Sequence, residues 1–331
     1  MIFDVVIGHP PHQENGEADS SAGPLYDKFV EQAKELNPKY ISMIMPARWM
    51  TDGETELDSF REINMKDRRW KEIHDYENDA DIFPNSDIDG GVMYFLWDCE
   101  HDGELDYYEH VEGKEIYSKR FLDTGHSIIV RNSDAIGILK NINLKNEPFS
   151  RIVSTDLPYG LDADIIKKEP KLFIDKKDEL HDVEFYDWND NPQVKYIKRK
   201  SLRRNNGLDG GPDLIDCWKV LMLKSFLQEP FLVAPGTACS DIYYVIGSFA
   251  DEHEAENAKK YILTKFFKFL VFQKKKTKNV SHDLFELVPI QDFSRKSKVP
   301  WNKSVEELDK YFFNNYNLSK QEIDFIKEKV G

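Results

Sequence analysis

The sequence predicts an α/β protein: an open, mostly parallel partial sheet in the first third, then a mixed α/β domain. Three observations predict it. Short apolar runs alternate with helix-spaced segments from Phe3 to Trp97. The texture turns polar and acidic after Cys99. Strongly patterned helices begin at Glu252 and Ser319 near the end. Alternating strands and helices lay parallel strands side by side with helices on their faces. The expected division lies near residue 120, giving domains 1–120 and 121–331.

Phe3 to Ile7 is a short, bulky, β-branched run, the pattern of a strand buried on both faces. Gly8-His9-Pro10-Pro11-His12 stops it. Pro24 to Leu36 carries Leu25, Phe29, Val30, Ala33 and Leu36 near helical spacing, with Pro24 suited to a first turn. Tyr40 to Met45 is a second strand, ended by Pro46. Glu56 to Met65 is a helix with Leu57, Phe60 and Ile63 on one side. Trp70 to Tyr76 and Gly91 to Trp97 are further strands, and residues 100–120 are acidic and polar. Strand-like pieces follow at Ser127–Val130, Phe231–Ala234 and Ile242–Phe249. Glu252 to Lys275 is one long helix with a stripe of Ala255, Ala258, Tyr261, Ile262, Phe266, Phe269 and Leu270. Ser319 caps the last helix, with Glu322 three residues on.

With 40% apolar and 13% aromatic residues, the chain can bury a sizeable core. It holds no run of eighteen apolar residues, so no membrane span is expected. Its first residues lack a basic region and are broken by Asp4, which reads as a strand and not a signal peptide. Cys99, Cys217 and Cys239 are far apart without CxxC spacing, which points to a reduced, cytoplasmic protein and to no metal site. The net charge of −15 repels DNA at long range unless basic residues cluster. They do: Lys198, Arg199, Lys200, Arg203 and Arg204 form one run, and Lys274, Lys275, Lys276 and Lys278 a second. These are the candidate phosphate contacts, with Asn205 and Asn206 as candidate readers of base edges. The alternative is two solvated loops.

The most informative segment is Gly8-His9-Pro10-Pro11-His12. Two prolines fix two φ angles, donate no hydrogen bond and leave their carbonyls free to accept. Beyond a strand of an open α/β sheet, they stand where such sheets bind ligands. This segment resembles the catalytic loop of amino-group DNA methyltransferases, where the strand is followed by Asn, Asp or Ser, then Pro-Pro-Tyr. Pro24–Val30, Ile41–Trp49 and Gly90–Trp97 resemble later motifs of that family, in the family's order. Pro235–Ser240, Val280–Phe285 and Val288–Ile290 resemble the recognition region of fused type II restriction-modification methylases. The resemblance implies a partial Rossmann-like methyltransferase sheet followed by a target-recognition domain. It implies adenine-N6 methylation of double-stranded DNA with S-adenosylmethionine as donor. The flipped adenine's amino nitrogen is a poor nucleophile because its lone pair is delocalised into the ring. Two acceptors localise that pair. By position His9 replaces the Asn, Pro10 supplies the carbonyl, Pro11 completes the turn, and His12 replaces the stacking Tyr. Tyr94 and Phe95 would line the base pocket.

Two departures from the family stand out. A neutral imidazole has one acceptor nitrogen and a protonated one has none, so His9 serves only in the right tautomer. The family's Gly-rich cofactor loop has no counterpart: Val245–Phe249 holds one glycine, and Gly207–Gly211 follows no apolar strand. The cofactor site is therefore expected to be incomplete here, with a partner chain supplying its cofactor-binding half. The alternative function is an inactive DNA-recognition subunit or remnant. Asp156, Glu169 and Lys171 have the residue types of a metal-dependent nuclease, but without a clean strand pair. The acids Asp75, Glu77, Asp79, Asp81, Asp87 and Asp89 lack calcium-loop spacing and read as a solvated loop. Arg48 and Trp49, after a strand end, are candidates either for DNA contact or for structure.

Overall fold

The computed structural model describes residues 3–12, 23–51, 55–86, 88–142, 147–187, 194–203, 211–225, 229–273 and 282–331. It divides into two compact units, Met1–Gly137 and Ile138–Gly331.

The first unit is a six-stranded mixed sheet. Its elements are β1 (Val5–Gly8), α1 (Tyr26–Glu35), β2 (Tyr40–Pro46), α2 (Asp58–Lys66), β3 (Trp70–Tyr76), β4 (Val92–Asp98), β5 (Leu105–Val111) and β6 (Lys114–Arg120). The strand order is β1-β2-β4-β3-β5-β6. β1 runs parallel to β2 and β3 parallel to β5, while β4 is antiparallel to both of its neighbours and β6 to β5. The expectation of a mostly parallel sheet is thus corrected: β4 returns between β2 and β3, and a hairpin extends the sheet. Alternation on β2 sends Ile41, Met43 and Met45 into one core with Trp49, Phe60, Trp70, Phe95 and Trp97. Burying such side chains contributes roughly 1.5–3 kcal/mol each. β1 is a sheet edge, not a strand buried on both faces: Val5 is 47% and Ile7 79% exposed. On α1 the buried positions are Tyr26, Asp27, Val30 and Ala33, while Phe29 and Leu36 face outward. Leu57 and, on α2, Phe60 are buried as expected, but Ile63 is 58% exposed, and Asn64 and Met65 turn inward in its place.

Two further stretches depart from their pattern for local reasons. The acidic, polar stretch 100–120, to which the sequence pattern assigns no element, holds the β5–β6 hairpin. Its turn is Glu112-Gly113, both at positive φ, the two-residue geometry that suits the strand twist. β6 is exposed along most of its length, which explains its polarity. Ser127–Val130 forms no strand; Ile128, Ile129 and Val130 are buried as irregular chain, with the Ile129 amide donating to the Met50 carbonyl at 2.8 Å.

Along the chain, α3 (Ser133–Asn141) follows the hairpin. The second unit contains α4 (Ile165–Lys168), β7 (Phe173–Ile174), β8 (Val183–Tyr186), β9 (Lys195–Ile197), β10 (Trp218–Leu223), β11 (Phe231–Val233), β12 (Thr237–Cys239), β13 (Tyr243–Phe249), α5 (Glu252–Leu263), α6 (Lys265–Phe272), α7 (Val305–Asn315) and α8 (Lys320–Val330). These strands form a three-stranded sheet β11-β10-β13 and a four-stranded sheet β12-β8-β9-β7. Val183, Phe185, Ile197, Leu221 and Val245 belong to one core. The expected long helix is two helices. Thr264 leaves the helical region (ψ 148) and its hydroxyl accepts from the Phe267 amide at 3.1 Å, capping α6. Asp309 on α7 accepts from the Lys265 and Phe266 amides at 3.1 and 2.9 Å, and burial raises its pKa. Ser319 makes its capping box with Glu322, and Ser304 makes another with Glu307.

No helix among the described residues is long and apolar enough to cross a membrane.

Candidate active site

In the first unit, β1 ends at Gly8 and the chain turns through His9-Pro10-Pro11-His12 at the carboxyl end of the strand. β1 and β2 run parallel, so this loop shares an edge of the sheet with the segment after Pro46. Pro10 is buried, His12 half-buried, and His9 and Pro11 exposed. The two imidazoles meet: Nε2 of His9 lies 3.2 Å from Nε2 of His12. One of these nitrogens must donate and the other accept. The His9 ring also stacks on Phe83, centroids 5.5 Å apart and 8° from parallel. The His12 carbonyl accepts from the Leu25 amide at 3.2 Å, tying the loop to the start of α1.

The same edge carries the Gly90-Gly91 turn into β4, with φ of +82° and +79°. A Cβ on Gly91 would meet the Tyr76 carbonyl at 2.1 Å, so only glycine fits. The Gly91 carbonyl accepts from the Ala47 amide at 3.0 Å. The Gly90 carbonyl accepts from Arg131 Nη1 at 2.6 Å. Arg131 also forms a bidentate pair with Asp75, one arm at 2.7 Å, and Tyr107 donates to the same carboxylate at 2.5 Å. Asp75 is 1% exposed, so this acid belongs to a buried ion pair and not to a solvated loop. Asp79 instead accepts from the Ser86 hydroxyl at 2.6 Å and the Ile88 amide at 2.9 Å. Asp87 lies outside the described residues.

Strand alternation separates Tyr94 from Phe95. Phe95 is 1% exposed and packs edge-on to Trp70 at 4.6 Å, in the core. Tyr94 occupies the other face, stacked on His74 at 4.3 Å. Burial, then the neighbouring Tyr76, pushes the Tyr94 phenol up to about 12. The four loop positions 9 to 12 are together. Tyr94 has His74 and Tyr76 as ring partners, and Phe95 does not join it. Trp49 is a core residue with no exposure. A cavity of about 540 Å³ opens at the opposite edge of the sheet, lined by Asp67, Arg68, Arg69, Glu100, His101 and Asp102 among others. Nothing in the sequence pattern had marked it.

In the second unit, Lys198 and Arg199 are half-buried, and Lys200 and Arg203 exposed. Arg199 is engaged by Asp216 at 2.7 and 2.9 Å and by Asp182 at 3.5 Å. Arg204, Asn205, Asn206, Lys274, Lys275, Lys276 and Lys278 lie outside the described residues. Asp156 pairs with Lys224, and among the described residues Asp156 and Glu169 join no group able to hold a metal ion.

Residues 1–83 match the family model of the Eco57I restriction-modification methylase. An uncharacterized adenine-specific methylase of Mycoplasma pneumoniae (strain ATCC 29342 / M129 / Subtype 1) is 38% identical over 107 residues, which are 31% of this chain and 25% of that protein. Among solved structures, the Type IIL restriction-modification enzyme MmeI in complex with DNA is similar over 98% of this chain and 56% of its own, with a TM-score of 0.51 and 11% identity. At that identity the likeness speaks for the fold alone. The chain thus spans about a quarter to a half of the proteins that it matches. The resemblance to adenine-specific restriction-modification methylases is borne out, and so is the α/β class.

Proposed function

We propose that this chain carries the base-handling and target-recognition parts of a site-specific DNA adenine-N6 methyltransferase of the restriction-modification kind. The observation that supports it best is the Pro-Pro loop closing β1, inside the segment that matches the methylase family. In this reading the Pro10 carbonyl and a His9 nitrogen accept the two hydrogens of a flipped adenine amino group, and His12 stacks on the base. Tyr94 lines the pocket wall. The paired imidazoles constrain the chemistry. If His9 donates through Nε2, its Nδ1 keeps a free lone pair for the base. If His9 accepts, Nδ1 carries the proton and His9 offers the base no acceptor.

S-adenosylmethionine supplies the methyl group in this family. The described residues do not fit it. The positive-φ glycines at this sheet edge, Gly90 and Gly91, pack against Arg48 and the Tyr76 carbonyl and leave no cradle. The donor site is therefore assigned to a partner chain or to another part of the protein. The exposed β1 edge, with Val5 and Ile7, suits such a partner. Lys198, Lys200 and Arg203 are the proposed phosphate contacts among the described residues, joined by Arg204 and Lys274 to Lys278. The two domains proposed are 1–120 for catalysis and 121–331 for recognition. Three free cysteines suit a reduced, cytoplasmic setting.

The reading is tested by co-expressing this chain with the open reading frame beside its own in a host without adenine methylation. Sequencing should then find N6-methyladenine at one motif, lost with His9→Ala. The chain alone should show no saturable binding of labelled S-adenosylmethionine. The imidazole pair favours a second reading, an inactive recognition subunit. That reading wins if DNA is bound but never methylated, and His9→Asn with His12→Tyr restores transfer. Neither methylation nor DNA binding under any of these conditions would end both readings.

A further inference from the structure

The sheet face opposite the core carries a cluster of histidines and acids that the proposed function does not use, beside the Tyr94 ring that it does. Register places His74 on β3 directly between Tyr94 on β4 and Tyr108 on β5. Both tyrosine rings stack on the imidazole at 4.3 Å, 12° and 8° from parallel. One row along, His110 on β5 stands opposite Tyr76 on β3 and Glu115 on β6. Tyr76 stacks on His110 at 4.0 Å, 1° from parallel. Both imidazoles are therefore clamped by cross-strand rings, and their rotamers are fixed before any ligand arrives.

Their nitrogens converge. His74 Nδ1 lies 3.0 Å from His110 Nε2, and the latter lies 3.9 Å from a Glu115 oxygen. One donor atom from each of the three residues falls within 4.8 Å of the others. Glu72 approaches His74 Nε2 at 3.0 Å. An ionised Glu72 only accepts, so it holds the proton on Nε2 and leaves a lone pair on Nδ1, aimed at His110. Two ring nitrogens this close share either a proton or an ion. Ligand bonds of about 2.0–2.1 Å at tetrahedral angles put donor atoms roughly 3.3–3.5 Å apart. The separations of 3.0 and 3.9 Å bracket that range and the third lies within 4.8 Å, so small shifts of the two rings and a swing of the exposed Glu115 carboxylate toward His74 complete the geometry.

We propose that His74, His110 and Glu115 bind a divalent transition-metal ion of the Zn²⁺ class. Two imidazoles and a carboxylate suit zinc over calcium or magnesium, and three protein ligands leave one position for water. Glu72 is a positioning residue that fixes the His74 tautomer. The ion ties β3, β5 and β6 together across the sheet. The sequence hides it because the ligands are 36 and 5 residues apart, on three strands, with none of the spacing of a cysteine or histidine motif. The proposal stands whether or not the chain methylates DNA.

The test is isothermal titration of the chelator-stripped full chain with Zn²⁺, alongside Co²⁺ absorption. One equivalent should bind at micromolar Kd or below, and Co²⁺ should show the visible bands of tetrahedral coordination. His110→Ala should weaken binding by roughly 100-fold or more, and Glu72→Gln by about 10–100-fold. Glu115→Gln changes an exposed side chain and leaves the fold intact. It should weaken binding about 10-fold and shrink the Zn²⁺-dependent rise in Tm accordingly. His101→Ala, a histidine outside the cluster, should change nothing. Binding no tighter than that of His110→Ala, or binding that survives both His110→Ala and Glu115→Gln, overturns the proposal.

Discussion

Lys219 on β10 has no exposed surface, and among the described residues its ammonium donates to the Ile215 and Cys217 carbonyls, each at 3.2 Å. Burial, partly offset by Cys217, Cys239 and Asp216, brings its pKa down to about 8. The folded chain therefore binds this proton less tightly than the unfolded chain, whose lysine titrates near 10.5. Burial of Lys219 is therefore a penalty that is full below about pH 8, is relieved as pH rises from 8 to 10.5, and is gone above that. Urea unfolding across that window should show wild type gaining on Lys219→Met by up to roughly 3 kcal/mol, a difference that vanishes if the lysine stays charged. Nothing in the sequence marks this residue, because a lysine in an apolar strand reads as solvent-facing until the sheet is built. The loop histidines were legible because Pro-Pro fixes the backbone around them. Their mutual contact was not, since side-chain rotamers across a turn leave no periodic trace. Phe95 could have been separated from Tyr94 by strand alternation alone.

At the level of elements, the break between α5 and α6 shows how a sequence pattern can mislead. The apolar stripe from Ala255 to Leu270 stays near helical phase across Thr264, so periodicity reads one long helix. The hydroxyl of Thr264 instead starts a new helix, which Asp309 reinforces. Thr264→Ala should cost about 1 kcal/mol of stability, whereas Thr264→Ser should cost much less. Equal losses for both would show that packing of the Thr methyl, not the cap, sets the break. β2, β3 and β4 were found to within a residue or so because long apolar or alternating runs carry their own register. The β5–β6 hairpin was missed because Glu112 occupies a turn position usually signalled by Asn or Asp.

Over the whole molecule, a net charge of −15 sets the terms of any encounter with DNA. Attraction has to come from local basic side chains, and Arg199 is already spent on Asp216 and Asp182. If Lys200 and Arg203 meet phosphates, the slope of log binding constant against log salt should fall by about 0.9 for each alanine substitution. Arg199→Ala should change it far less. Identical slopes for all three variants would remove this segment from the interface. The α/β class was readable from alternation alone, whereas the antiparallel return of β4 was not, because strand direction depends on connections that composition does not encode. The exposed β1 edge has one more consequence. Among the described residues the outer side of β1 pairs with no strand, and such an edge, flanked by Val5 and Ile7, can recruit its own likeness. Concentrated alone, two copies would zip β1 to β1 about a two-fold axis, and a sizing column would report a dimer that owes nothing to biology.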